Sequence, residues 1–293
     1  MKNLFLFLFL LVVFTSKAQD NRVSGLNSRQ FTKYWKVESE SPDYKVTFQG
    51  DTAEIVSPKG LTLWRKEKMS GKVTIEYDAC VVVESDGDRL SDLNCFWMAS
   101  DPQYPDNLWK REKWRSGIFL NCYSLQLYYL GYGGNHNSTT RFRRYDGDES
   151  GITNPKARPA ILKEYTDAGH LLKPNHWYHI KITNENNRVS YYIDGERLVD
   201  FRDAEPLREG WFGFRTTLSR TRITNFSYEC SSQEATAVPL QWIGETPRQD
   251  KVVSFGVPFD KGEVFETSYG YLQKVVRIFL LIPGLWLIGR MVL

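Results

Sequence analysis

The densest run of polar side chains with chemical potential extends from Gly131 to Tyr145. It combines a glycine-rich turn with an alternating stretch in which Arg141 and Arg143 flank Phe142. Adjacent glycines allow a tight backbone excursion. The planar guanidinium group of arginine is suited to binding carboxylates, such as those of uronic acids. The pattern fits a binding site, and it equally fits a polar hairpin with a solvated arginine face.

This segment contains the residue types that β-elimination on a uronic acid requires. A cation or amide neutralises the carboxylate, a base removes the neighbouring proton, and an acid protonates the leaving oxygen. For a lyase we therefore predict His136, Tyr145 and Arg141 as catalytic residues. Asn135 and Arg143 are predicted to bind substrate.

Four residues outside this segment are further candidates for substrate binding. Trp97 is expected to join the arginines in one concave groove, and Arg215 either reaches that surface or pairs with an acid. Glu164 and Tyr165 lie in a long segment between predicted strands, where they either line the edge of a cleft or contribute only loop polarity.

Motifs for several other mechanisms are missing. The sequence has no Gly-x-Ser-x-Gly, no phosphate-binding loop and no His-Glu-x-x-His. Glu76 and Asp78 resemble the start of a glycosidase carboxylate pair, but Val81 stands where the last glutamate would be needed. No metal or other cofactor is predicted. Calcium at Asp86, Asp88, Asp92 and Asn94 is an alternative, although their spacing is not that of an EF-hand.

The elements that must position these residues are short strands. Val73, Ile75, Tyr77, Ala79 and Val81 alternate with polar residues, which predicts a strand with one buried face. A closing meander follows between residues 177 and 229, and Asp-Gly at 194–195 is a strong hairpin signal. Helical periodicity is not evident between residues 31 and 230. We predict an all-β, antiparallel two-sheet jelly roll over residues 19–230.

The N-terminus has the pattern of an export signal. Lys2 precedes the apolar run from Leu4 to Phe14, and Ser16-Lys17-Ala18 forms a small-x-small cleavage site. We predict a signal peptide over residues 1–18 and a periplasmic or extracellular location. Its removal lowers the formal net charge from +3 to +1. This near-neutral charge predicts no nucleic-acid partner, and no specific protein partner is evident. The four cysteines have no metal-ligand spacing, and export makes disulfides possible. Because Cys80 and Cys122 lie within apolar strand patterns, we interpret the cysteines as buried free thiols.

The C-terminal part changes composition twice. We predict a linker over residues 231–238, an incomplete second β-module over 239–269 and an apolar tail over 270–293. The apolar run of the tail is too short for a good transmembrane helix. Our hypothesis is that a frameshift produced this tail, and a genuine hydrophobic tail is the alternative.

Three phrases carry a resemblance to a known family: residues 94–102, 131–145 and 210–217. They resemble exported bacterial domains of unassigned function that are common in Bacteroidetes polysaccharide-utilisation systems. The resemblance covers residues 30–230 and implies a concanavalin A-like (lectin/glucanase) sandwich, with no established catalytic residues to transfer. Residues 237–269 resemble the N-terminal β-domain of exo-acting rhamnogalacturonan lyases of the YetA type. That resemblance implies pectic or other acidic plant glycans.

The sequence therefore leaves three alternative functions. The first is binding of an acidic polysaccharide or oligosaccharide of the pectin class. The second is a polysaccharide lyase acting in the jelly-roll groove. The third is a structural spacer for a truncated lyase.

Overall fold

The protein folds into two antiparallel β-sheets packed face to face, as a computed structural model of residues 23–231 shows. The predicted all-β jelly roll is confirmed. The predictions for the signal peptide, the linker, the second β-module and the tail lie outside the described residues.

Sixteen strands form the described part. They are β1 (Val23–Ser24), β2 (Trp35–Ser39), β3 (Lys45–Gln49), β4 (Thr52–Ser57), β5 (Leu61–Arg65), β6 (Met69–Ser70), β7 (Lys72–Val81), β8 (Leu93–Ser100), β9 (Gln126–Gly133), β10 (Thr139–Asp146), β11 (Lys163–Tyr165), β12 (Tyr178–Glu185), β13 (Arg188–Ile193), β14 (Glu196–Arg202), β15 (Glu209–Thr216) and β16 (Ser219–Ser231). The front sheet has the order β11-β10-β9-β8-β15-β5-β2, with β6 beside β15. The back sheet has the order β14-β13-β12-β7-β16-β4-β3, with β1 beside β16.

Helical structure is limited to single turns. They are the α-type turns Phe31–Tyr34, Glu112–Arg115, Gly134–Asn137 and Ser150–Thr153, and the 3₁₀ turns Leu108–Arg111, Leu120–Ser124, Pro155–Ala157 and Ala168–His170. Within residues 23–231 we find no helix with the length and apolar character to cross a bilayer.

The alternation predicted in β7 is confirmed. The five apolar residues from Val73 to Val81 are each at most 2% exposed and face the core between the sheets. Aromatic rings of the front sheet meet them there; Tyr77, for example, packs edge-on against Phe214 at 4.9 Å between ring centroids. Burial of such rings on both inner faces is the main driving force for this sandwich.

The Asp194-Gly195 hairpin is also confirmed. It joins β13 to β14, and both residues have positive φ angles, 50° and 85°. This is the backbone that a two-residue hairpin turn requires and that Asp and Gly tolerate.

Two apolar segments, residues 31–34 and 118–122, do not form strands. Phe31 to Tyr34 form a helical turn before β2, and the β2 residue Trp35 donates its indole N–H to the Gly25 carbonyl at 2.9 Å. Residues 118–122 are apolar enough for a strand, but they lie over the front sheet rather than within it. They have no adjacent strand to pair with, and a 3₁₀ turn forms over Leu120–Ser124.

A second core lies on the outer face of the front sheet. Trp64, Phe96, Tyr129, Tyr145 and Trp211 point outward from the sheet and are nonetheless buried. Residues 101–124, which we call the cover segment, pack over them through Leu108, Cys122 and Tyr123. The cover segment therefore converts part of an outer sheet face into protein interior.

A buried ion pair holds the cover segment on the sheet. Arg115, fully buried, donates hydrogen bonds to both carboxylate oxygens of Glu38 on β2, at 3.2 and 3.0 Å. It also donates to the Leu108 carbonyl at 2.6 Å and lies 3.7 Å from Asp101. Burial raises the pKa of Glu38, and the charge and hydrogen bonds of Arg115 partly oppose this rise.

We predict that Arg115→Leu lowers the free energy of unfolding by about 3–5 kcal/mol at pH 7, because it strands the Glu38 carboxylate. Without Arg115 the folded-state pKa of Glu38 rises further above its unfolded value. The loss of stability caused by the charged Glu38 carboxylate is then present at pH 7. It decreases as the pH falls through that raised pKa, because the carboxylate becomes protonated. Urea unfolding at about pH 5 and pH 7 measures both effects.

The matched control is Arg188→Leu, which removes a more exposed pair with Asp200 on the back sheet. Its expected cost is below about 1 kcal/mol. A loss for Arg115→Leu no larger than that of the control would contradict a role of this ion pair in anchoring the cover segment.

Candidate functional site

The strand register aligns one polar row across the outer face of the front sheet. Its members are Glu164, Arg141, Gly131, Asn94, Arg215, Thr62 and Glu38, one from each of the seven main strands. Each is the direct cross-strand neighbour of the next. Because side chains alternate along a strand, all seven positions share the face that carries the second core. We call this line the polar row.

The cover segment closes one half of the polar row. Glu38 is held by Arg115, and Arg215 is 3% exposed and donates to the Gly117 carbonyl at 2.5 Å. The guanidinium carbon of Arg215 also lies 5.6 Å from the centroid of the Phe119 ring. These contacts place Arg215 beneath the rim of the cover segment.

The other half of the row, from Glu164 to Asn94, is the open half. Arg141 donates to Glu164 at 2.5 Å, and the two side chains remain 33% and 36% exposed. Arg143 lies two residues further along β10 on the same face and donates to the Pro159 carbonyl. Salt bridges to Arg143 and Arg215 are absent among residues 23–231, so the charges of these two arginines are not neutralised by a direct partner.

Gly131 leaves a notch in the open half. A Cβ atom at this position would overlap the hydroxyl oxygen of Tyr129, so that hydroxyl occupies the space between Arg141 and Asn94. Burial and the negative charge of Asp92 raise the pKa of Tyr129, and Arg215 and Arg143 oppose the rise only in part. The hydroxyl is therefore protonated at neutral pH and acts as a hydrogen-bond donor.

Asn94, the cross-strand neighbour of Gly131, supplies an acceptor on the same face. Asp92 accepts a hydrogen bond from the Asn94 amide nitrogen at 3.2 Å and is itself fixed by Ser91 and Arg89, at 2.8 and 2.7 Å. The Asn94 side-chain oxygen is buried and has no hydrogen-bond partner within the described chain. An unpaired buried acceptor is costly, which makes Asn94 a candidate ligand-binding residue.

Several predicted site residues occupy other places. Trp97 is fully buried between the sheets, where it packs on Tyr128, Phe142 and Tyr191. It cannot touch a substrate, and the prediction that it belongs to the site is wrong. Side chains alternate between the two faces along β8, so Trp97 points to the inner face of the sheet and Phe96 to the outer face.

Tyr145 is also corrected. It points outward, but the cover segment buries it to 1% exposure in the second core, where its ring meets Tyr123 and Tyr129. Burial raises its pKa well above the usual value of 10. It is neither accessible nor ionisable near neutral pH and is not a catalytic group.

Asn135 and His136 lie at the tip of the β9–β10 hairpin. Both are exposed and have left-handed backbones, with φ of 53° and 58°. Asn135 donates to Ser138 at 3.1 Å. None of the hydrogen bonds or ion pairs in residues 23–231 joins His136 to Arg141 or Arg143, so the predicted catalytic set is not assembled.

Glu164 and Tyr165 separate onto two faces of β11. Glu164 lies in the polar row. Tyr165 turns the other way, stacks on His170 at 4.1 Å between ring centroids and donates to the Leu198 carbonyl at 2.8 Å.

Of the predicted residues, the outer face thus brings together Arg141, Arg143, Glu164 and, under the cover segment, Arg215. The polar position of Asn94 within an apolar strand was the one signal that could have identified it, and Tyr129 gave none.

The alternative calcium site is not formed. Asp88 accepts hydrogen bonds from the backbone of Glu84 and Ser85, and Asp92 is bound to Arg89. Within residues 23–231 we find no group of three or more His, Cys, Asp or Glu side chains arranged to hold a metal ion. The four cysteines are free thiols, three of them buried.

Solved structures with similar folds include a Bacillus subtilis protein of unknown function with a galectin-like fold. It has a TM-score of 0.54 and 15% identity, and the match covers 69% of this chain and 91% of that one. The carbohydrate-binding module CBM66 of B. subtilis follows with a TM-score of 0.45 and 16% identity, covering 67% and 94%. An alginate lyase in complex with alginate tetrasaccharide has a TM-score of 0.43 and 11% identity, covering 66% and 87%.

A search of curated proteins found no significant match. One family model matches residues 55–226, which is more than half of the chain and includes the open half of the polar row. The chain therefore belongs to the family described as Domain of unknown function DUF6250.

Proposed function

We propose that this domain binds an acidic polysaccharide at the open half of the polar row. The observation that carries the proposal is the unpaired Asn94 oxygen, on the strand next to Gly131 and its Tyr129 hydroxyl, on a face where the charge of Arg143 has no carboxylate partner. The site thus combines an acceptor without a partner in the described chain, a hydroxyl donor and a cation without a carboxylate partner.

A uronic acid residue matches these three groups. Its carboxylate accepts hydrogen bonds from the guanidinium of Arg143 and from N–H groups of Arg141 that Glu164 leaves free. Its hydroxyl groups donate to Asn94 and accept from Tyr129. The half-buried ring of Phe119, 5.6 Å from the Tyr129 ring, offers an apolar wall for the sugar face.

Pectin and rhamnogalacturonan are the glycans we propose, on the strength of the sequence resemblance described above. The same proposal places the protein outside the cytoplasm, as the N-terminal signal pattern predicts. Binding without cleavage is favoured over lyase activity, because His136 lies at the hairpin tip and Tyr145 is enclosed in the second core.

We predict that Arg143→Met weakens binding to polygalacturonate by about ten- to a hundredfold, the range for loss of a charged hydrogen bond. Binding of the unmodified protein should also weaken as salt is added. Isothermal titration calorimetry measures both effects, with neutral dextran as the control polymer. Arg188→Met on the back sheet is the matched control variant and should bind as the unmodified protein does.

Equal binding of the Arg143 and Arg188 variants would overturn the proposed site. If the unmodified protein binds no uronate polymer, the binding function is wrong and the spacer function replaces it. Release of unsaturated products, detected by ultraviolet absorbance during the titration, would show that the domain is a lyase.

A second prediction uses the notch at Gly131. Gly131→Ala places a methyl group on the Tyr129 hydroxyl and should weaken polygalacturonate binding about tenfold. The cost in stability is expected to be about 1–3 kcal/mol, because the ring must shift.

Gly134→Ala is the control on the same hairpin, since its Cβ would make only ordinary contacts, the nearest at 3.8 Å. Thermal unfolding of both variants separates a binding defect from misfolding. Unchanged affinity in Gly131→Ala would show that the ligand does not use the notch.

A further inference from the structure

A cleft of about 140 Å³ opens at one end of the sandwich, where residues 169–178 meet the turn between β13 and β14. Its lining includes Tyr132, His170, His176, Tyr178, Asp194 and Glu196. Tyr132 directly follows Gly131 in β9 but points to the opposite face of the front sheet. The cleft is thus separate from the polar row.

The floor of the cleft is apolar and rigid. Ile193 and Leu198 are each 5% exposed, and the rings of Tyr132 and Tyr178 pack edge to face at 5.2 Å. The Tyr178 hydroxyl accepts from the Lys173 amide at 2.7 Å, and the Tyr132 hydroxyl donates to the Leu171 carbonyl at 3.3 Å. These hydrogen bonds fix the tyrosines, so the floor does not depend on a ligand for its shape.

The rim of the cleft is polar and carries two carboxylates. One oxygen of Asp194 accepts from the His179 amide at 2.8 Å, and the other lies 3.7 Å from His176, beyond hydrogen-bond distance. One oxygen of Glu196 meets His170 at 3.2 Å. Each carboxylate therefore has one oxygen with capacity for a further donor.

We propose that this cleft is a second binding site, one that takes a single neutral sugar residue. The cleft combines apolar surface on its floor with a larger share of polar groups at its rim, which suits a ligand rich in hydroxyl groups. The carboxylates of Asp194 and Glu196 accept hydrogen bonds from ring hydroxyls, and the tyrosine floor faces the apolar side of the ring. Asp194 and Glu196 repel the charge of a uronate, while His170 and His176 lie against these two carboxylates and Lys173 is the one other basic residue of the lining. This site is additional to the polar row and does not depend on it.

The test is a titration of the ¹⁵N-labelled full-length protein with L-rhamnose, D-galactose and D-galacturonate, followed by heteronuclear NMR. A neutral sugar should shift the amide signals of Gly169, His176 and Gly195 at millimolar concentrations. Galacturonate should leave them in place. Glu196→Gln and Asp194→Asn should each raise the dissociation constant about tenfold, because each loses a charged acceptor.

Glu185→Gln is the matched control, since Glu185 is an outward carboxylate on β12 that binds Lys72 at 2.9 Å, away from the cleft. It should bind neutral sugars as the unmodified protein does. The proposal is overturned if no neutral sugar shifts the cleft signals, if galacturonate shifts them equally, or if Glu196→Gln and Asp194→Asn bind unchanged. Arg143→Met should leave this titration unaltered, which separates its outcome from that of polygalacturonate binding.

Discussion

Between β2 and the cover segment, the guanidinium group of Arg115 lies fully buried against Glu38 and close to Asp101. Charges buried in this way must be matched, because an unpaired charge in the protein interior is strongly unfavourable. The ion pair between Arg115 and Glu38 fixes where the cover segment lies on the front sheet. That placement decides which outward-facing aromatic residues become core, and which half of the polar row remains in contact with solvent.

Most charged side chains on the outer sheet faces pair with a neighbour, and two arginines of the front sheet do not. On the back sheet, charged side chains pair with neighbours: Lys181 with Glu76, Arg222 with Glu54, and Arg188 with Asp200. On the front sheet, Arg143 and Arg215 bind carbonyl groups instead of carboxylates. Arg143 thus has no carboxylate in direct contact and lies on the same face as the open half of the polar row, which is why we place anion binding there.

Alternation along single strands was enough to predict much of the fold. The buried face of β7 and the Asp194-Gly195 hairpin follow from side-chain period and turn chemistry, which are local properties. The site was predicted less well. Arg141 and Arg143 were placed on an outward face as expected, but Trp97 was assigned to a groove although it points inward. Tyr145 points outward as the arginines do, and only the cover segment buries it.

The sequence by itself determined the strand periodicity, the hairpin turn and the outward position of the arginines, because each depends on residues close together in the chain. The tertiary structure decided the rest. Asn94 meets Gly131 and Arg215 through pairing between strands far apart in sequence. The burial of Tyr145 depends on residues 101–124 lying over the sheet, and the cleft forms only where the segment 169–178 meets the turn after β13. The pairing of distant strands and the placement of the cover segment both arise from long-range packing, which no local sequence pattern encodes.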